Sequence, residues 1–134
     1  IKRVSAIIET FGRLADSNLH LLIVGTGNDE SKLKKQAAQI APDRVHFLGW
    51  VGEASQKAAL YNLSECMVLA SWREGFPTVV GEAFACGTPV VSSDVGTVAD
   101  VVVEGKTGWL FPAGDDIAMH EKLTFVANNP QEIV

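Results

Sequence analysis

The chain has 134 residues, 47% of them hydrophobic, with 11 Lys and Arg against 16 Asp and Glu, which fits one domain and excludes a disordered chain. The net charge of −5 argues against a nucleic-acid partner, because a general binder of phosphate backbones needs a basic face. The sequence contains no run of about 18 apolar residues, so no transmembrane helix is predicted. Its two cysteines form no disulfide framework, which favours a reducing, cytoplasmic compartment.

The predicted elements alternate between helices and strands. Apolar residues spaced by three and four predict a helix over 1–14, and the apolar run at 19–24 predicts a strand buried on both faces. Further helices are predicted at 31–40, 53–63, 77–86, 97–103 and 117–128, and further strands at 45–51, 66–70, 89–92 and 109–111. This alternation predicts an α/β fold with a Rossmann-like, doubly wound parallel sheet covered by helices on both faces.

Four loops follow predicted strands, at 25–29, 49–53, 71–76 and 93–97. In such sheets, ligands bind beyond the carboxyl ends of the strands, at a switch in strand order. The sequence therefore predicts that these four loops form the ligand-binding face.

Two acidic residues, Glu74 and Glu82, flank the start of the helix predicted at 77–86. Free backbone amides at a helix N-terminus bind anions, here around Phe76 and Thr78, and Gly75 lets a ligand approach the backbone closely. Glu82 lies about 7.5 Å beyond the start of this helix, and a carboxylate at that position can accept hydrogen bonds from a ribose diol. The residue types alone leave two plainer interpretations open: Glu74 as an acid that stabilises a helix terminus, and Glu82 as a solvated residue.

Short motifs surround both glutamates in a fixed order: LIVGTG at 22–27, VHFLGWV at 45–51, EGF at 74–76, EA at 82–83, ACGTPVV at 85–91, SDVG at 93–96 and EGKTGWL at 104–110. Over nearly the whole chain, this series resembles the group 1 retaining glycosyltransferases, the GT4-type enzymes of the GT-B fold. The resemblance implies that 1–134 is a single nucleotide-sugar-binding domain, the C-terminal half of that fold. We expect it to be truncated at both ends and to lack its first strand and the N-terminal acceptor domain.

The resemblance also implies an activity, the transfer of a sugar from a nucleoside-diphosphate donor to a glycan or lipid-linked acceptor with retention of configuration. In this pattern Glu74 is the catalytic-site residue that binds the donor sugar, and Glu82 binds the ribose. The other implied donor-binding residues are Gly75, Phe76, Pro77 and Thr78 near the sugar and diphosphate, Gly49, Trp50 and Val51 near the base, and Gly25 and Gly27 on the floor of the cleft. No cofactor and no metal ion are expected.

Three departures from the family pattern stand out. The family has a strand with a Gly-Arg and then a Lys-Gly pair, which bind the diphosphate, just before a helix like 1–14, and this chain is expected to lack them. Thr97 and Asp100 replace a usual Gly and Glu. The acceptor-binding domain is also missing, so we expect the chain alone to have no transferase activity.

Three alternatives to the glycosyltransferase remain: a GT-B-like module that binds nucleotide without catalysis, a GT-B-fold epimerase domain, and a receiver-like α/β module with a phosphorylatable acid. For the last of these only Asp94 is suitably placed. For the full-length protein we expect a cytoplasmic location, with peripheral association at the inner membrane face.

Overall fold

A computed structural model describes residues 2–16, 18–75 and 77–129. Within them lie eleven elements in the predicted order: α1 (Val4–Gly12), β1 (Leu21–Val24), α2 (Glu30–Ile40), β2 (Val45–Gly49), α3 (Ala54–Leu63), β3 (Met67–Leu69), α4 (Thr78–Ala85), β4 (Val90–Ser93), α5 (Val98–Val101), β5 (Gly108–Phe111) and α6 (Asp116–Asn128). The predicted α/β class and its alternation of helices and strands are confirmed.

The strands form two parallel sheets. β1 pairs with β2, and β4 lies between β3 and β5 in a three-stranded sheet. Parallel pairing follows from the helical crossovers, because each helix returns the chain to the same end of the sheet. Between β1 and β3 no ladder forms among the described residues, so one edge of each remains unpaired.

Helices cover both faces of the three-stranded sheet. Val90 and Val91 are adjacent in β4, fully buried, and belong to two different hydrophobic clusters. Successive residues of a strand point to opposite faces, so the two clusters lie on the two sides of the sheet. The first includes Ile7 and Phe111 with Met119, Leu123 and Val126 of α6; the second includes Val80, Ala83, Val98 and Val102. This is the doubly wound arrangement that the alternation predicts.

Three local expectations need correction. The strand β1 is not buried on both faces, since Leu22 is 36% exposed and Val24 is 47% exposed. The first helix begins at Val4, because Arg3 has φ 54°, a left-handed conformation that cannot continue a right-handed helix. Pro77 precedes the first residue of α4 instead of occupying it. No helix in the described parts of the chain has the length and apolar character needed to cross a bilayer.

Candidate functional site

The loop between β3 and α4 positions the carboxylate of Glu74. The hydroxyl of Ser71, a fully buried residue, donates a hydrogen bond of 2.9 Å to Glu74 Oε1. Ser71 is itself fixed, because the Ser93 hydroxyl at the end of β4 donates to its carbonyl oxygen at 2.8 Å. The Glu74 side chain is therefore held from the strand side of the loop.

A basic residue also contacts Glu74. The ammonium of Lys2, just before α1, donates to Glu74 Oε1. Lys2 is a basic residue of this chain that lies before the first helix, and the expected absence of the family's Gly-Arg and Lys-Gly pairs stays a prediction. Arg3, between Lys2 and the first residue of α1, has a left-handed conformation that glycine adopts more readily. The sequence interpretation missed Lys2 because it began the helix at Ile1.

The environment of Glu74 favours its ionised form. Partial burial raises the pKa of Glu74, but the hydrogen bonds from Lys2 and Ser71 and the positive charge of Lys2 outweigh burial. The net result is a pKa below the ordinary value of 4.5. Glu74 thus presents a carboxylate, suited to accept hydrogen bonds from sugar hydroxyls.

The β4–α5 turn supports the backbone of the same loop. Both the backbone amide and the hydroxyl of Thr97 donate to the Gly75 carbonyl oxygen at 3.2 Å. Gly96 lies so close that an added Cβ would come within 2.0 Å of the Glu74 carbonyl oxygen. The space beside Gly75, in contrast, is open for 4 Å around the position of an added Cβ. The loop is held on one side and accessible on the other.

The N-terminus of α4 follows this loop directly. Pro77 is buried and precedes the helix, and Thr78, the first helical residue, is exposed. The first amides of a helix have no partner within it, so those of Thr78 and Val79 are available to an anion. Phe76, which the sequence pattern places against the sugar, lies outside the described residues.

Glu82 lies in the middle of α4 and contacts two residues of α3. The Tyr61 hydroxyl donates to Glu82 Oε1 at 3.0 Å, and Lys57 Nζ lies 3.7 Å from Glu82 Oε2. The Glu82 side chain is 40% exposed. Neither Tyr61 nor Lys57 belongs to a motif in the sequence, and only their helical spacing of four residues indicates that they share a face.

The glycines at the ends of β1 and β2 meet each other. The Gly25 amide donates to the Gly49 carbonyl oxygen at 2.7 Å, and both residues have positive φ, at 111° and 70°. The neighbouring Trp50 is 78% exposed, and Val51 is half-buried. Gly27 is exposed. These residues form a separate group, on the two-stranded sheet.

The predicted site residues therefore fall into three local groups: Glu74 and Gly75 with Lys2, Glu82 with α3, and the Gly25–Gly49 pair with its neighbours. The described hydrogen bonds and ion pairs do not join one group to another. Two of the groups are neighbours along the chain. Val51 of the Gly25–Gly49 group is followed shortly by Ala54, the first residue of α3, and α3 supplies the residues that contact Glu82.

Comparisons with known proteins identify relatives of this chain. It is 38% identical over 112 residues to a phosphatidyl-myo-inositol mannosyltransferase of Mycobacterium leprae, covering 84% of this chain and 29% of that protein. It is 33% identical over 117 residues to an N-acetyl-alpha-D-glucosaminyl L-malate synthase of Bacillus anthracis, covering 86% of this chain and 30% of that protein. The chain spans about a third of the length of these relatives.

Solved structures share the fold. The apo form of a lipopolysaccharide outer core galactosyltransferase, WaaB, is 26% identical to this chain with a TM-score of 0.86, covering 98% of this chain and 40% of that one. The structure thus corresponds to the Rossmann-like half of a GT-B fold. The sequence profile of the family described as "Glycosyl transferases group 1" matches residues 1–133, and the chain belongs to that family.

Proposed function

We propose that this chain is the donor-binding domain of a retaining glycosyltransferase, which transfers a sugar from a nucleoside-diphosphate donor to a glycan or lipid-linked acceptor. The observation that carries the proposal is the placement of two carboxylates, one in the loop before α4 and one in the middle of α4, each held by hydrogen bonds. Glu74 is bound by Lys2 and Ser71 before the helix, and Glu82 is bound by Tyr61 within it.

Each group has a distinct role in this proposal. The Thr78 and Val79 amides and the Lys2 ammonium attract the diphosphate, whose negative charge grows as the sugar departs. Glu74 accepts hydrogen bonds from the donor sugar and fixes its orientation. Gly75 and Pro77, with Phe76, line the sugar and diphosphate side. Glu82 accepts from the ribose hydroxyls, Gly49, Trp50 and Val51 border the base, and Gly25 and Gly27 line the cleft floor.

In the proposed reaction, the bond between the anomeric carbon and the diphosphate oxygen breaks. A bond from the acceptor oxygen to the same carbon forms on the same face, and the acceptor proton passes to the departing phosphate. The positive charge near that phosphate comes from Lys2 and the helix terminus, so the proposal assigns no metal ion and no cofactor. The acceptor is bound by residues outside this chain.

The names of the relatives support glycosyl transfer as the reaction class, with acceptors that include a phosphatidyl-inositol in one protein and L-malate in another. Two free thiols, Cys66 and Cys86, support a reducing compartment. We therefore propose a cytoplasmic protein that meets lipid-linked acceptors at the inner membrane face.

The test is a donor-consumption assay on the full-length gene product with UDP-, GDP- and ADP-sugars. Glu74→Gln keeps the shape of the side chain and removes its charge, and Glu121→Gln, on the exposed surface of α6, is the matched control. We expect one donor class to be consumed, with a loss of about 100-fold in Glu74→Gln and none in the control. Equal rates in the two variants would contradict the role of Glu74.

A further inference from the structure

We propose that Tyr61 and Lys57 are positioning residues that hold the Glu82 carboxylate in the orientation that accepts hydrogen bonds from the donor's ribose hydroxyls. This inference rests on the proposed function, because it assumes that Glu82 binds the ribose. It adds a specific role for α3, which supplies both residues.

The two contacts act on the two oxygens of one carboxylate. Tyr61 donates to Oε1 at 3.0 Å, and the Lys57 ammonium lies 3.7 Å from Oε2. Lys57 and Tyr61 are four residues apart, so they occupy neighbouring turns on the same face of α3. A free glutamate side chain samples several rotamers, and fixing both oxygens removes much of that freedom before a ligand arrives.

The held carboxylate keeps capacity for a ligand. An ionised carboxylate offers about four acceptor positions, of which the Tyr61 hydroxyl occupies one, while Lys57 at 3.7 Å is an ion-pair contact longer than a hydrogen bond. The positions that remain are enough for the two hydroxyls of a ribose cis-diol. The Glu82 side chain is 40% exposed, so solvent and ligand reach it.

Tyr61, whose hydroxyl donates the hydrogen bond to Glu82, is itself held in place. The Thr88 hydroxyl donates to the Tyr61 carbonyl oxygen at 2.7 Å, and Tyr61 packs against the hydrophobic cluster that contains Val80 and Ala83. Burial, followed by the hydrogen bond to Glu82, raises the pKa of Tyr61 above its ordinary value of 10.0. The phenol therefore remains protonated, and remains a donor, throughout the physiological pH range.

The experiment compares ribose recognition in the full-length gene product. Calorimetry gives the Kd for UDP, GDP and ADP and for their 2′,3′-dideoxy counterparts, and the ratio of the two Kd values reports the contribution of the hydroxyls. In Tyr61→Phe we expect this ratio to fall about fivefold, with dideoxy binding nearly unchanged, because a hydrogen bond to a charged group is lost. Lys57→Met is expected to change the ratio in the same direction and by less, since its contact is longer and more exposed.

Ser64→Ala is the matched control, because the hydrogen bond that it removes joins the Ser64 hydroxyl to the Leu60 carbonyl oxygen within the α3 segment and does not involve Glu82. An unchanged ratio in Tyr61→Phe, or equal weakening of both nucleotides, would overturn the positioning role. A Glu82→Gln variant with the wild-type ratio would instead overturn the proposed function itself. The two failures are therefore distinguishable.

Discussion

The ammonium of Lys2 donates a hydrogen bond to the carboxylate of Glu74, which lies 72 positions further along the chain. The contact joins the residues before α1 to the loop between β3 and α4. It places a positive charge next to a carboxylate of the loop that precedes α4. In the proposed function, this pairing holds Glu74 when no donor is bound and supplies charge for the diphosphate when one is.

Lys2→Met tests the pairing through the pKa of Glu74. We expect that pKa to rise, because the variant removes a hydrogen bond and a positive charge that both lower it. Since the folded pKa is depressed, the contribution of Glu74 to stability is present above its ordinary pKa of 4.5 and is lost as the pH falls through the folded value. Side-chain carboxyl NMR measures the pKa.

A second measurement is the free energy of unfolding as a function of pH, from neutral pH into the acid range. Lys2→Met should lose less stability than the wild type between neutral pH and the acid range, and Lys32→Met, an exposed residue of α2, should behave as wild type. An unchanged Glu74 pKa in Lys2→Met would show that Lys2 does not control this carboxyl group.

Gly96→Ala tests the support of the Glu74 loop. A Cβ at Gly96, where φ is +55°, would meet the Glu74 and Gly75 carbonyl oxygens at 2.0 and 2.4 Å. We expect a loss of about 1–3 kcal/mol and weaker nucleotide binding, because the loop must shift. Thermal unfolding of the full-length gene product with and without nucleotide measures both effects.

The matched control for that variant is Gly81→Ala. Gly81 lies inside α4 with nothing within 4 Å of an added Cβ. Alanine there should stabilise the helix by roughly 0.5–1 kcal/mol. A Gly96→Ala protein with the stability of the control would show that the close approach of Gly96 to the loop is unimportant.

The two cysteines should differ in reactivity. Burial raises the pKa of the Cys66 thiol to about 12, and the nearby charge of Glu65 adds to the increase. Because the thiolate is the nucleophile, Cys66 should react with a maleimide far more slowly than Cys86 at pH 8. Peptide mapping by mass spectrometry over a time course compares the two sites, and labelling of Cys66 at the rate of Cys86 would contradict the burial argument.

The isolated 134-residue chain should transfer no sugar. The proposed acceptor site lies outside it, and β1 and β3 each have an unpaired edge within the described residues. The full-length gene product, assayed under the same conditions with the same donor, should be active. Measurable turnover by the isolated chain would place acceptor binding within these residues.

The order and type of all eleven elements could be predicted from the sequence, because short apolar runs alternate with longer segments and several of the boundaries carry Gly or Pro. The start of α1 could not. Ile1 continues the apolar spacing, while the left-handed conformation of Arg3 is a tertiary effect, fixed by ion pairing with Asp116 at 2.8 Å and stacking over Trp72. The apolar periodicity therefore places Lys2 inside the predicted helix and gives no sign of its contact with Glu74.

Contacts between distant residues were also beyond the sequence. Tyr61 and Glu82 are separated by 21 positions, and only the packing of α3 beside α4 brings them together. His20, just before β1, and His46 of β2 also meet, at 2.9 Å between Nδ1 and Nε2, because β1 and β2 lie side by side as parallel partners. Leu22 and Val24 point to the same face of β1, and their exposure depends on whether another element covers that face, which an apolar run does not encode.

The most direct test of the central claim is nucleotide binding to the full-length gene product, measured by calorimetry with UDP, GDP and ADP. Glu82→Ala is compared with Glu121→Ala, which replaces an exposed glutamate of α6. We expect one nucleotide to bind more tightly than the others, Glu82→Ala to weaken its binding by about tenfold or more, and Glu121→Ala to leave it unchanged. Binding of none of the three by a folded protein, or equal affinity in the two variants, would contradict the proposed function.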